Sequence, residues 1–110
     1  MPTAYKVLAQ RAPAATTEET LYTVPSSTSA VVSTIAITNQ AGTSGTYRIA
    51  VRPAADASTT QKHYIVYGAT VGASDSIMLT LGITLAAGDL IRVYASSSSM
   101  SFSAFGSELS

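Results

Sequence analysis

The sequence has no cysteine, no tryptophan, a single histidine and few charges. Each shortage closes a class of function. Without cysteine there is neither a disulfide framework nor a thiolate metal site. Charged residues make up 11% of the chain, against about 25% in a typical soluble domain. Six Lys and Arg offset six Asp and Glu, and no basic cluster exists. Nucleic-acid affinity depends on several cations neutralising phosphates on one surface, so no nucleic-acid partner is expected. With zero net charge and so few ionised groups, a free monomer has little colloidal protection. A surface of Ser, Thr and Ala suits a subunit covered by neighbours; it also suits a neutral domain that is simply soluble. No apolar run approaches the roughly 20 residues of a membrane helix, because Thr, Ser or Gly interrupts every one. No membrane partner is expected. The N-terminus lacks a basic segment followed by an apolar core, so no signal peptide is expected.

The residues needed for catalysis are equally sparse. A reaction centre needs a nucleophile beside a base, paired carboxylates or a metal cluster. His63 lies in an apolar stretch and reads as structural. Asp56, Asp75 and Asp89 fall in turn contexts, where a short carboxylate bonds the nearby backbone. No serine sits in a Gly-x-Ser-x-Gly elbow, and no glycine loop of the phosphate-binding kind is present. The sequence therefore implies no catalytic residue, no cofactor and no metal, and a chain that is not an enzyme. Tyr22, Tyr47, Tyr64, Tyr67 and Tyr94 leave room for a binding role, because tyrosines on a β-sandwich stack on sugars or anchor protein interfaces. Tyr47, and one of Tyr64 and Tyr67, are expected in the core.

What the chain does have is alternation. Between Ser29 and Pro53, two alternating runs flank the loop Gln40 to Thr46. Val31, Ile35 and Ile37 share one parity in the first run; Tyr47, Ile49 and Val51 share one in the second, with Arg48 and Arg52 opposite. Successive strand side chains point to opposite faces, so each run buries one face and wets the other. Gly42 and Gly45 suit a tight reversal, and the pair reads as a β-hairpin. Further strands are expected over Tyr5–Gln10, Thr20–Val24, Lys62–Tyr67, Ser76–Leu85, Leu90–Ala95 and Met100–Gly106. Apolar residues fall on both parities of Lys62–Tyr67, which predicts a central strand buried on both sides. Seven or eight short strands with turn signals between them indicate an all-β chain: a single antiparallel β-sandwich or small jelly roll. Residues 1–19, with Pro13 and no period, read as an N-terminal arm or edge segment, and 20–110 as the sandwich domain.

The ordered segments Ala4–Gln10, Ala12–Thr17, Leu21–Pro25, Val31–Ile35, Tyr47–Ala54 and Ser101–Glu108 carry a resemblance over nearly the whole chain. They resemble small β-sandwich virion structural proteins of tailed bacteriophages, especially those of cyanobacteria and marine bacteria. That resemblance implies a non-enzymatic particle component assembled in the host cytoplasm. The first expectation is a capsid decoration (cement) protein binding the outer capsid as an oligomer, with a homotrimer favoured. The alternatives are a tail, neck or baseplate adaptor for fibre attachment, and a glycan-binding module. The expected partners are copies of itself and the major capsid or tail proteins of the same particle. Parity and position nominate Tyr5, Leu8 and Arg11 on the arm, with Arg48, Arg52, Arg92 and Tyr94, as interface residues.

Overall fold

The computed structural model describes residues 3–110. Eight strands form in the order β1 (Thr3–Arg11), β2 (Glu19–Thr23), β3 (Ser29–Asn39), β4 (Gly45–Arg52), β5 (Tyr64–Val71), β6 (Ser76–Leu85), β7 (Leu90–Ala95) and β8 (Met100–Leu109). They are rich in Val, Ile, Thr and Tyr, the residues that suit a pleated, half-buried surface. They build two four-stranded sheets, β1-β8-β3-β6 and β2-β7-β4-β5. The pairs β1–β8, β2–β7, β3–β6 and β4–β5 are nested and antiparallel. The chain is thus one long hairpin, its tip at the β4–β5 loop, rolled so that alternate pairs fall in opposite sheets. The β3–β8 and β4–β7 ladders then close each sheet. This is the jelly-roll form of the antiparallel sandwich.

The core lies between the sheets. Ile35, Ile37, Met100, Phe102 and Ala104 from one sheet face Tyr47, Ile49, Ile91 and Val93 from the other, all fully or almost fully buried. Tyr47 meets Phe102 edge-on, with ring centroids 6.2 Å apart at 64°. Alternation placed Tyr47 inside, and it is inside. Neither Tyr64 nor Tyr67 joins it; both lie on the outer face of their sheet, and Tyr22 is the second buried tyrosine.

The central stretch is not a hairpin. β3 and β4 lie in opposite sheets and share no ladder. Two strands that each bury one face satisfy that pattern equally well side by side or face to face. Asn39, whose side chain is buried, stands at the crossing. Its Nδ2 donates to the carbonyls of Thr43, Val71 and Gly72 at 2.9, 3.3 and 3.2 Å, and its Oδ1 accepts from the Ala41 N–H at 3.0 Å. This clip carries the chain across from one sheet to the other.

Two bulges reset parity. Leu8 in β1 and Ser33 in β3 are extra residues on either side of Phe105 and Gly106 of β8. An extra residue turns every later side chain to the opposite face. Ala30 and Val32 therefore point inward before Ser33, and Ile35 and Ile37 after it; Val31 is exposed, not core. At the same place β8 approaches β3 so closely that a Cβ on Gly106 would stand 2.0 Å from the Val31 carbonyl oxygen.

Of the segment read as an N-terminal arm or edge segment, Thr3–Arg11 pairs along β8 as the edge strand β1; residues 1 and 2 lie outside the described residues. The expected central strand at Lys62–Tyr67 is instead the edge strand β5, and it starts at Tyr64. Its apolar residues on the outer parity cover neighbouring side chains, not a second layer. His63 belongs to a one-turn 3-10 helix, Gln61–His63. Its Nδ1 accepts the Thr60 N–H at 2.8 Å, leaving Nε2 to donate to Asp56 Oδ2 at 2.7 Å. The residue pins the β4–β5 loop.

Three substitutions test this frame by urea unfolding. Gly106→Ala drives a methyl group into the backbone of β3 and is expected to cost at least ~2 kcal/mol. Gly42→Ala, with open space around it, is expected to change stability by under ~0.5 kcal/mol. Asn39→Leu, which strands the Ala41 N–H and three carbonyls, is expected to cost about 2–3 kcal/mol.

Candidate functional site

The outer face of the β2-β7-β4-β5 sheet carries a layer of aromatic rings and guanidinium groups. Arg48 in central β4 stands in register with Tyr94 of β7 and Tyr67 of β5. Its guanidinium carbon lies 4.1 Å from the Tyr94 ring centroid and 4.2 Å from that of Tyr67. The cation is sandwiched between two π faces, a favourable electrostatic arrangement. Two residues on, Ala50 lies opposite Arg92 on one side and Tyr64 on the other. Its methyl is too short to reach solvent past these long neighbours, and it is fully buried on what is formally an outside position.

Glu18 organises the next part of the layer. The Tyr64 hydroxyl donates to Glu18 Oε1 at 2.7 Å, and Arg92 Nε donates to Oε2 at 3.2 Å. Arg92 also reaches the Thr20 hydroxyl at 2.6 Å and the Glu18 carbonyl at 3.2 Å. Tyr64 packs edge-on against Tyr67, centroids 4.9 Å apart. Beside this pair opens a cleft of about 620 Å³ lined by Thr59, Thr60, Gln61, Tyr64 and Tyr67. Tyr67 is 64% exposed at its rim.

The cations divide into two groups. Lys6, Arg11, Lys62 and Arg92 are paired with Glu108, Glu19, Asp56 and Glu18 at 2.7, 2.5, 3.6 and 3.2 Å. Arg48 and Arg52 have no carboxylate within ion-pair distance among the described residues. Arg52 donates to the Thr59 hydroxyl at 3.2 Å, while its buried Nε has no partner among the described residues. Among the described residues the positive charge without a carboxylate therefore lies on β4, with Arg48 between Tyr67 and Tyr94 and Arg52 beside Thr59. Such a face suits carboxylate and carbonyl groups offered by another molecule.

The opposite sheet presents a different surface. Tyr5, 84% exposed, lies with Lys6, Val31, Ser33, Phe105, Gly106 and Ser107 along a groove of about 490 Å³. Of the residues nominated from sequence, Arg48, Arg52, Arg92 and Tyr94 come together on the first face. Tyr5 lies on the second. Leu8 is half-buried in its bulge and packs against the core. Arg11 is held by Glu19, whose other oxygen accepts the Ala14 N–H at 2.8 Å. Tyr64 and Tyr67 were named for a binding role but with one of them expected in the core, and Glu18 was not nominated. The place of the two tyrosines depends on the register between β4 and β5, and that of Glu18 on its contacts with Tyr64 and Arg92, which no local pattern in the chain encodes.

Glu18 gives this face its pH dependence. Partial burial opposes its ionisation, but hydrogen bonds from Tyr64 and Arg92 outweigh that and hold the carboxyl below its ordinary 4.5. A folded value below the unfolded one means that the unfolded chain takes up the proton first as pH falls. The stabilisation is therefore complete above the unfolded value and lost as pH drops through the folded one. Asp56, through His63, and Glu108, through Lys6, shift in the same direction. The urea midpoint is expected to be flat from neutral pH to about 5.5 and to fall below about 4.5. Tyr64→Phe removes one donor, brings the folded value of Glu18 closer to the unfolded one, and is expected to lower the midpoint at neutral pH while making its fall in acid smaller, with the onset unmoved. An acid fall of unchanged size shows that Tyr64 does not hold Glu18.

No protein-family model and no curated protein sequence matches the chain. Solved structures do match. One is a chain in the structure of infectious bursal disease virus, Gx strain, with a TM-score of 0.55 and 13% sequence identity. The likeness covers 97% of this chain and 32% of that one, so this chain spans about a third of its neighbour's length. At that identity the likeness is one of fold, an all-β antiparallel sandwich.

Proposed function

We propose that this chain is a non-enzymatic structural subunit of a virus particle, and within that class a decoration (cement) protein that binds the outer capsid of a tailed phage as an oligomer. The observation that carries the reading is the nested eight-strand sandwich, matched over 97% of its length by a chain from a virus particle. The surfaces fit the role. Most charges are consumed within the chain, so docking on many neutral neighbours costs little desolvation. The Arg48, Arg52, Tyr67 and Tyr94 face and the Tyr5, Val31 and Phe105 groove lie on opposite sheets. One subunit thus has two docking faces and can bridge two neighbours across a capsomer boundary. Its work is adhesion, which raises the cost of opening the shell. A tail, neck or baseplate adaptor would use the same two faces. A glycan-binding module is favoured by one observation, the cleft where Tyr64 and Tyr67 stand beside Gln61 and two threonines; an aromatic face with hydroxyl and amide groups around it is what a neutral sugar requires.

Copy number in the purified particle, by quantitative mass spectrometry against the major capsid protein, separates these readings. A count in simple ratio to the capsid subunits is expected. A count matching a single ring or fibre set moves the protein to the tail or neck, and absence from the particle overturns the structural reading.

A further inference from the structure

β6 is an edge strand of ten residues that pairs on one side only, with β3. Its other side offers a free row of backbone N–H and C=O groups. Monomeric proteins blunt such edges with lysine, proline, a bulge or a short strand; β6 has one such irregularity, where Leu81 and Gly82 together stand opposite Ser33 of β3. Ser76–Leu85 has no charged residue and no proline. Its inward row, Ile77, Leu79, Leu81 and Ile83, is only half-buried at the open flank of the sandwich, and Met78 is 67% exposed on the outward row.

The strand is also nearly its own mirror. Read outward from Thr80, the residues match in pairs: Leu79 with Leu81, Met78 with Gly82, Ile77 with Ile83, Ser76 with Thr84. An antiparallel pair of identical strands about a two-fold axis at Thr80 sets these partners opposite each other. The inward row then reads Ile on Ile and Leu on Leu, on the core side of both copies. The outward row sets Met78 over Gly82, which has open space where a Cβ would be, so the largest exposed side chain meets the smallest residue. Cross-strand pairs of this kind are the unit of sheet stability.

Charge permits the same arrangement. The nearest ionised group, Asp75, precedes the strand and would lie opposite Leu85 of the copy, about 34 Å from its own counterpart. A paired edge of nine residues is about 31 Å long. With the 19 Å short dimension of the molecule as its height, the contact covers about 600 Å² per copy. That is the lower bound of stable interfaces, which fits a pair that forms as concentration rises.

From this geometry we infer that two copies of the chain associate through their β6 edges, antiparallel about Thr80, joining two four-stranded sheets into one of eight strands. The contact is isologous and closed. It is two-fold, unlike the trimer anticipated from the sequence resemblance, and it does not depend on where in a particle the protein resides.

The test uses the full chain in solution. Sedimentation equilibrium over a concentration series is expected to show a monomer–dimer equilibrium. Thr80 is exposed, so Thr80→Lys and Thr80→Glu are expected to keep the urea midpoint within experimental error. Each alone puts like charges about 5 Å apart across the axis and is expected to abolish the dimer. Mixed in equal amounts, the two are expected to restore it as a Lys–Glu heterodimer. Because the chain is free of cysteine, Thr80→Cys gives a second readout: a disulfide-linked dimer on mild oxidation, with Thr23→Cys on β2, exposed at the opposite flank, remaining monomeric. A wild-type chain that stays monomeric throughout, a trimer, a dimer unaffected by Thr80→Lys, or a mixture that fails to re-associate overturns the inference.

Discussion

The dry contact between the two sheets is the constraint on which the rest of the molecule depends. Phe102, Ile35 and Ile37 must meet Tyr47, Ile49 and Ile91 across the sandwich, and burying those side chains is the largest favourable term available to a chain without cysteine. Every device at the periphery serves that contact. The Asn39 clip carries the chain from one sheet to the other. The Ser33 bulge re-aims β3 so that residues on both sides of it face inward. Gly106 lets β8 close against β3 where the bulge bends it.

The same economy explains the surface. A chain with six cations and six acids uses most of them locally. Asp89 holds two turns through the N–H groups of Ala54 and Ala86. Glu108 ties β8 to Lys6 of β1 and to the Tyr22 hydroxyl of the other sheet. Glu18 joins Tyr64 of β5 to Arg92 of β7. Among the described residues, what remains without a carboxylate is Arg48, between the Tyr67 and Tyr94 rings, and Arg52, bonded to Thr59. The molecule therefore has little long-range field and a few well-placed contact groups. That balance gives specificity through fit and short-range hydrogen bonds more than through electrostatic steering.

The neutral edge of β6 follows from the same composition. In a charge-rich domain one or two lysines would protect such a strand. Here its ten residues are all uncharged, and its two rows are self-complementary. An aromatic and guanidinium face, a groove and an uncharged edge lie on three different sides of a body 28 Å by 19 Å in its smaller dimensions.

How much of this could be read beforehand differs from strand to strand. Alternation by itself determined that the chain is all-β, that Tyr47, Ile49, Phe102 and Ile91 are interior, and that Arg48, Arg92 and Tyr94 point outward, because side-chain direction in a strand is a local, period-two property. The lack of cysteine and of clustered acids or histidines was equally plain. Local pattern could not say which sheet a strand joins. β3 and β4 look like a hairpin and are not one, and Lys62–Tyr67 looks central and is an edge, because partner choice is settled by contacts between residues far apart in sequence. Nor could it foresee that one extra residue at Ser33 would turn Val31 outward. The aromatic and guanidinium layer lies between these cases. Its outward residues were legible one by one, but the stacking of Arg48 between Tyr67 and Tyr94, and the bridge through Glu18, exist only because the register of three strands brings them together. Composition and period determined what kind of sandwich the chain could make; only the tertiary structure decided which strands are neighbours, since that choice rests on long-range packing that no short segment encodes.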